Sequence, residues 1–316
     1  VQGMDGRQHR RRKAMLLDVL MAPDRVQALR DRTERAWHDA VGRWGGTEIS
    51  LYEQVQELLM RAVCDWAEVP LPEHEVAGRT KQVALLFDAA GAKNLRHLAS
   101  LWSRERADRW IAGVISQVRS GELSPSRVSA LHTLAWFRDS QGRLLPPENA
   151  AVGLLNVIRP VVAVSVFIVL AAHALESHPS QRPPKDDDLA TEYFVQEVRR
   201  FYPFFPAVMA ITRQDVEWRG FGIPRGERVV LDLHGTNHDH DRWGDPESFR
   251  SARFAEWDND PFDFIPHGGG AYVTGHRCAG ESLTVTLMKQ AVQILAHRVA
   301  YQVPSQNLHI DVRRMP

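Results

Sequence analysis

A mainly α fold with a minor β sheet is what the sequence predicts, on three observations. Apolar residues recur at helical spacing through most of the first 178 positions, a strand-rich stretch punctuated by Gly and Pro breaks that pattern near 210–233, and an apolar stripe resumes it from Ala279. The helical stretches fall near 8–21, 24–43, 50–67, 73–90, 93–120, 125–137 and 147–177, divided by Pro23, Gly45-Gly46, Pro70, Gly91, Gly121, Pro125 and Pro146-Pro147. A polar connection follows. Its three acids, Asp186 to Asp188, place negative charge where the dipole of a helix over about 187–201 favours it. Ala210 to Trp218, a turn at 219–222 and the segments up to Leu233 then read as a small antiparallel sheet. The closing helix, about 279–299, carries Met288, Val292, Leu295 and Val299 on one face.

With 316 residues, 44% hydrophobic and 25% charged, the chain can bury a substantial core and reads as a single domain over 1–316. Lys+Arg 39 against Asp+Glu 39 leaves no net charge to attract nucleic acid, so small or amphipathic partners are favoured. Two distant cysteines, Cys64 and Cys278, support neither a disulfide framework nor a zinc site, which fits a reducing cytoplasm. The longest apolar run, Val161 to Leu175, is shorter than the roughly 20 residues of a bilayer span and is expected to be a buried core helix. The sequence opens at Val1 and stops at Pro316 without structural punctuation, so the domain is expected to be incomplete at both ends.

Chemistry concentrates in the segment from Phe264 to Gly280, where Cys278 lies between a glycine-rich loop and the start of a long helix. A thiolate there is stabilised by the helix dipole and by unpaired N–H groups, and glycines let the backbone approach the sulfur. Haem iron held by such a sulfur receives electron density that favours O–O cleavage. A glycine-rich loop with an incidental cysteine is the plainer reading of that segment alone. Upstream, Glu197 and Arg200 stand at i and i+3 on one helix face, and Arg253 follows in Phe249-x-x-x-Arg253-Phe254. An isolated pair of this kind is ordinarily solvated; its order relative to the cysteine loop makes it informative.

Together, Glu197-x-x-Arg200, Phe249-x-x-x-Arg253-Phe254 and Gly275-His276-Arg277-Cys278-Ala279-Gly280 resemble the core motifs of cytochromes P-450. The resemblance implies the cytochrome P-450 fold in truncated form. It further implies a buried Glu197–Arg200–Arg253 network behind the haem, Cys278 as axial ligand and His276 at a propionate. It extends over nearly the whole chain and departs from the commoner pattern by extra residues between Phe264 and Gly275, as in one subgroup. That subgroup is marked more sharply at Asn156-Val157-Ile158-Arg159-Pro160, where no acid–alcohol pair is present. Pro160 deprives the Asn156 carbonyl of its helical partner, so a kink is expected there. Arg159 beside the kink would place a cation deep in an apolar pocket, with a carboxylate as its natural counter-ion. An arginine that pairs with a protein acid at a helix bend is the alternative. Taken with the cysteine loop, Arg159-Pro160 resembles the fatty-acid peroxygenases of the superfamily. In that group the residue matching Gln2 overhangs the haem, and those matching His9 and Lys13, which share a helix face, reach a propionate. Ala163, Pro206 and Ala207 are expected in the substrate pocket wall.

The resemblance therefore implies haem b as cofactor, hydrogen peroxide as co-substrate and a long-chain fatty acid hydroxylated at its α or β carbon. The substrate carboxylate, paired to Arg159, would act as acid and base, and no redox partner would be required. A histidine at the place of Gln2 accompanies decarboxylation to terminal alkenes in related enzymes; a neutral amide favours hydroxylation. Decarboxylation, a conventional reductase-dependent monooxygenase and a non-catalytic haem or fatty-acid binding protein are the competing readings. His234, His238, Asp239 and His240 could suggest a metal site but read better as a loop leading to Trp243. Cys64 reads as an inert core residue.

Overall fold

The computed structural model describes residues 5–89 and 95–307, most of them helical. Helix α1 (Gly6–Met21) turns at Ala22 into α2 (Pro23–Trp44), whose proline occupies the first turn, where its missing N–H costs nothing. Helix α3 (Leu51–Ala67) stops at Glu68, which adopts the left-handed conformation at φ 60°. A 3-10 turn (Glu73–Glu75) leads into α4 (Val76–Asp88), and α5 (Leu95–Ser120) is ended by Gly121 at φ +85°. The helix expected over 125–137 is shorter than its pattern. Only Ala130–Ala135 is helical (α6), capped by Ser129 Oγ accepting from His132 N, because Ser126 is held outside by the Glu68 carboxylate.

Helix α7 (Pro147–Ser177) is the spine of the fold and runs unbroken through Pro160. It packs against α3, α5 and the C-terminal helix. Apolar on most sides, it satisfies the length and composition of a membrane span, yet 72% of its most apolar window is buried inside the protein, as in a core helix. Helix α8 (Asp188–Phe201) begins where the Asp187 side chain accepts from Ala190 N and ends with Arg199 and Arg200 in its last turn, a favourable placement for both charges.

The β segment forms two separate antiparallel ladders, not one sheet. Strand β1 (Ala207–Ile211) begins three residues earlier than its pattern indicates, whereas β2 (Val216–Trp218) pairs with β3 (Phe221–Ile223) across a tight turn. Strand β4 (Arg228–Asp232) returns to β1 in the register Ala207↔Asp232 to Ile211↔Arg228. Between the ladders Asp215 accepts from Arg225 N at 2.8 Å, which diverts the chain from a continuous sheet. Asp232 then caps α9 (Leu233–Asn237), and α10 (His240–Trp243) follows, so the stretch expected as a loop consists of two short helices. A 3-10 turn (Ser251–Ala255) precedes the long loop to α11 (Glu281–His297). Trp243, Phe254 and Phe264 form a small apolar cluster beside the main core, anchoring the near end of that loop.

Candidate active site

Cys278 sits three residues before α11, in a turn held from several directions. Its N–H donates to the His267 carbonyl at 3.0 Å, and Tyr272 Oη donates to Ala279 O at 2.6 Å. Lys13 Nζ, reaching across from α1, donates to Gly275 O at 3.2 Å and to Arg277 O. Glycine is required at 275, since a Cβ there would stand 2.6 Å from the Ala271 carbonyl oxygen. Burial pushes the Cys278 thiol up; the Gly280 N–H pulls it back down, the Glu281 carboxylate raises it, and Lys13 and Arg199 lower it. The stabilisation expected at a helix start is present, but desolvation outweighs it.

Arg159 lines the same cavity as Cys278, a space of ≈170 Å³. Leu16 and Leu20 of α1, Val157, Val161 and Val164 of α7, and Leu283 and Leu287 of α11 make its apolar walls. The half-buried guanidinium donates to Asn156 Oδ1 at 3.2 Å, and among the described residues no carboxylate stands within ion-pair distance of it. The alternative of an arginine satisfied by a protein acid is therefore not what the fold shows. Burial lowers the Arg159 pKa, as does the neighbouring Arg104, with Asp108 opposing. Pro160 is exposed at the cavity edge.

On the α1 side, His9 and Lys13 are both 3% exposed and also line the cavity. The His9 ring lies 4.0 Å from that of His276, whose Nε2 is 3.1 Å from Asp5 Oδ1. Burial first, then His276 and Lys13, lower the His9 pKa. Lys13 is a buried ammonium whose hydrogen-bond partners are carbonyls; among the described residues it has no ion-pair partner, and burial lowers its pKa. An apolar slot with a sulfur at one wall and an ammonium lacking a counter-ion at its rim fits haem, whose propionates are anionic.

Behind the loop, Glu197 and Arg200 are completely buried. Arg200 Nε and Nη2 each donate to Glu197 at 2.8 Å, Arg253 Nε stands 3.2 Å from Glu197 Oε2, and Arg250 N donates to Glu197 Oε1 at 2.8 Å. The guanidinium of Arg200 also donates to the carbonyls of Asn237 and Pro246, tying α8 to the segment before the loop. The pair that looked solvated in isolation is thus the centre of a buried network.

Of the residues expected in the pocket wall, Ala163 is buried in α7, Pro206 O accepts from Leu233 N and His234 N, and Ala207 is exposed opposite Asp232 in the β1–β4 ladder; none of the three lines the cavity shared by Arg159 and Cys278. Gln2 lies outside the described residues. Sequence reasoning missed a second buried ion network, in which Arg199 of α8 and Arg277 both bind Glu281. The i,i+4 spacing of Arg277 and Glu281 across the cysteine was the available signal. The His234 and His238 rings lie 4.1 Å apart, tilted by 50°, and Cys64 is buried with its pKa pushed up to about 12.

The profile of the Cytochrome P450 family matches residues 180–310. Mouse cytochrome P450 3A16 is 29% identical over 145 residues, 44% of this chain and 28% of the relative; cytochrome P450 84A4 of Arabidopsis thaliana is 31% identical over 115 residues, 35% and 22% respectively. The chain thus spans less than a third of the length of these curated relatives. Solved structures match throughout. Cytochrome P450SP alpha (CYP152B1) in complex with (R)-ibuprophen superposes with a TM-score of 0.94 at 46% identity, covering 100% of this chain and 78% of that one. Cytochrome P450EX alpha (CYP152N1) with myristic acid gives 0.94 at 40% identity, with 100% and 77% covered. A P450 OleT variant in complex with arachidonic acid gives 0.93 at 32%, with the same coverage. Identity at this level over the full described fold, joined to the sulfur, arginine and buried glutamate network in the order the sequence motifs demanded, places the chain in the cytochrome P450 family, on its fatty-acid peroxygenase branch.

Proposed function

We propose that the chain catalyses hydrogen-peroxide-dependent hydroxylation of a fatty acid at its α or β carbon, with haem b held by Cys278. The observation that carries this reading is the shared cavity of Arg159 and Cys278, in which the guanidinium has an amide oxygen as partner but no carboxylate among the described residues. A fatty acid is the ligand class that supplies both missing components: a carboxylate for Arg159 and a chain for the apolar walls. Structural neighbours crystallised with myristic and arachidonic acids support that class.

Bound haem supplies the oxidising chemistry, its thiolate ligand favouring O–O cleavage. The protein residues do the rest by position. Asn156 Oδ1 accepts from one Arg159 nitrogen and so orients the guanidinium, leaving other donors for a substrate carboxylate. Pro160 cannot donate to the Asn156 carbonyl, and no acid–alcohol pair is available on α7 at this point to move protons. The substrate carboxylate takes that role: held by Arg159, it accepts a proton from hydrogen peroxide and returns it to the oxygen that leaves as water. One oxygen enters the C–H bond, giving a 2-hydroxy or 3-hydroxy acid and one water per peroxide. His9, Lys13 and His276 are assigned to the propionates, and Glu197, Arg200 and Arg253 to holding the fold behind the sulfur.

The test is haem-loaded protein with myristic acid and hydrogen peroxide, without any reductase, products identified by mass spectrometry. Hydroxymyristic acid from the parent and none from Arg159→Ala is expected. Turnover only with an electron-transfer system refutes the proposal in favour of a conventional monooxygenase, and a terminal alkene as main product refutes hydroxylation.

A further inference from the structure

We infer that Glu281, clamped between Arg199 and Arg277, is a positioning residue that sets the charge balance behind the Cys278 sulfur; this rests on the haem-thiolate reading above. Arg199 Nη2 donates to Glu281 Oε1 at 2.5 Å, and Arg277 Nε donates to Glu281 Oε2 at 2.6 Å. The two residues that bracket the cysteine turn, 277 and 281, are therefore joined through one carboxylate to α8. Arg199 Nη2 also lies 3.0 Å from His267 Nδ1, and the His267 carbonyl accepts the Cys278 N–H. The one Arg199 guanidinium thus holds both Glu281 and His267, on either side of the cysteine turn.

Burial separates this network from an ordinary helix-start ion pair. The Arg199 and Glu281 side chains are 1% and 8% exposed, and Arg277 is 19% exposed. In a low-dielectric surrounding, charges so placed act on the sulfur with little screening. Residues beyond the ligands orient a metal site and tune its potential through charge and hydrogen bonding. Two guanidinium groups face one carboxylate, so neutralising the carboxylate makes the field more positive and favours the reduced iron, whereas neutralising either arginine does the opposite. The Glu197 network is built on Arg200 and Arg253 and is distinct from this one.

The experiment is a spectroelectrochemical titration of the ferric/ferrous couple in haem-loaded parent, Glu281→Gln, Arg199→Gln, Arg277→Gln and the Glu281→Gln/Arg199→Gln double variant, with the ferrous carbonyl spectrum reporting thiolate ligation. An upward shift for Glu281→Gln, downward shifts for both arginine variants and a return toward the parent value in the double variant are expected, with thiolate ligation kept. Arg277→Gln, the most exposed site, carries the arginine arm should Arg199→Gln not fold. Shifts of one sign in all variants, or none, overturn the inference while the peroxygenase reading stands. A parent that takes up haem without thiolate ligation overturns both.

Discussion

Replacing Glu197 with alanine removes the acceptor from the most deeply buried ion network among the described residues. The carboxylate takes hydrogen bonds from Arg200 Nε and Nη2 at 2.8 Å and from Arg250 N at 2.8 Å, with Arg253 Nε at 3.2 Å, and neither Glu197 nor Arg200 has exposed surface. Alanine leaves the Arg200 guanidinium buried without its counter-ion, a change that costs ~3–5 kcal/mol. At an unfolding entropy of ~2.1 cal/mol/K per residue, a chain of 316 residues loses ~5–8 °C in Tm for that cost. Differential scanning calorimetry of parent and variant at neutral pH reads this directly. A drop below ~1.5 °C is what a solvated surface pair gives, and it would refute the claim that Glu197 is a buried keystone.

Pro160→Ala restores an N–H to the Asn156 carbonyl; since an interior proline costs a helix ~3 kcal/mol, Tm is expected to rise by a few degrees while peroxide-driven turnover falls, and an unchanged Tm counts against strain at that point. Arg159→Ala is expected to weaken fatty-acid binding by roughly 30-fold or more, the effect of truncating one side of a desolvated charge pair; spectral titration with myristic acid checks it, and an unchanged Kd refutes the pairing. His238, driven down to about 4 by burial and then by its neighbour His234, stays neutral in the fold while an unfolded histidine takes a proton near 6.5. The folded pKa is the depressed one, so its contribution is intact above about pH 6.5 and is lost as pH falls toward 4. The loss of Tm over that window is expected to be smaller in His238→Gln; parallel profiles contradict the assignment.

Much of this was legible in the residues, and what was not has physical causes. Helices α1 to α3, α7, α8 and α11 announced themselves because each buries apolar residues at helical spacing over several turns, with Pro23, Pro147 and Asp187 marking three of the starts. The α6 stretch was overread because the pattern across 125–137 is apolar enough, while the contact that stops it, Glu68 to Ser126, spans 58 residues. The β ladders were merged for the same reason: the Asp215 to Arg225 bond that divides them has no period. Arg159 and Cys278 were identified because each is chemically odd for its place, a cation beside a proline in an apolar helix and a thiol at a helix start. Arg199 was invisible beside Arg200, since adjacent arginines look alike until α8 turns them to different partners, Glu281 and Glu197. The start of β1 at Ala207, three residues before its pattern indicates, had no local signal, because its pairing with Asp232 is made across the intervening ladder.

The central claim is that the substrate's own carboxylate, fixed by Arg159, moves the proton. Comparing peroxide-driven turnover of myristic acid with that of its methyl ester, at equal concentration and with no reductase, tests it most directly. Hydroxylated product from the acid and essentially none from the ester is the predicted result. Comparable turnover of the ester would contradict the account, because an ester offers Arg159 no charge and no oxygen basic enough to take the proton.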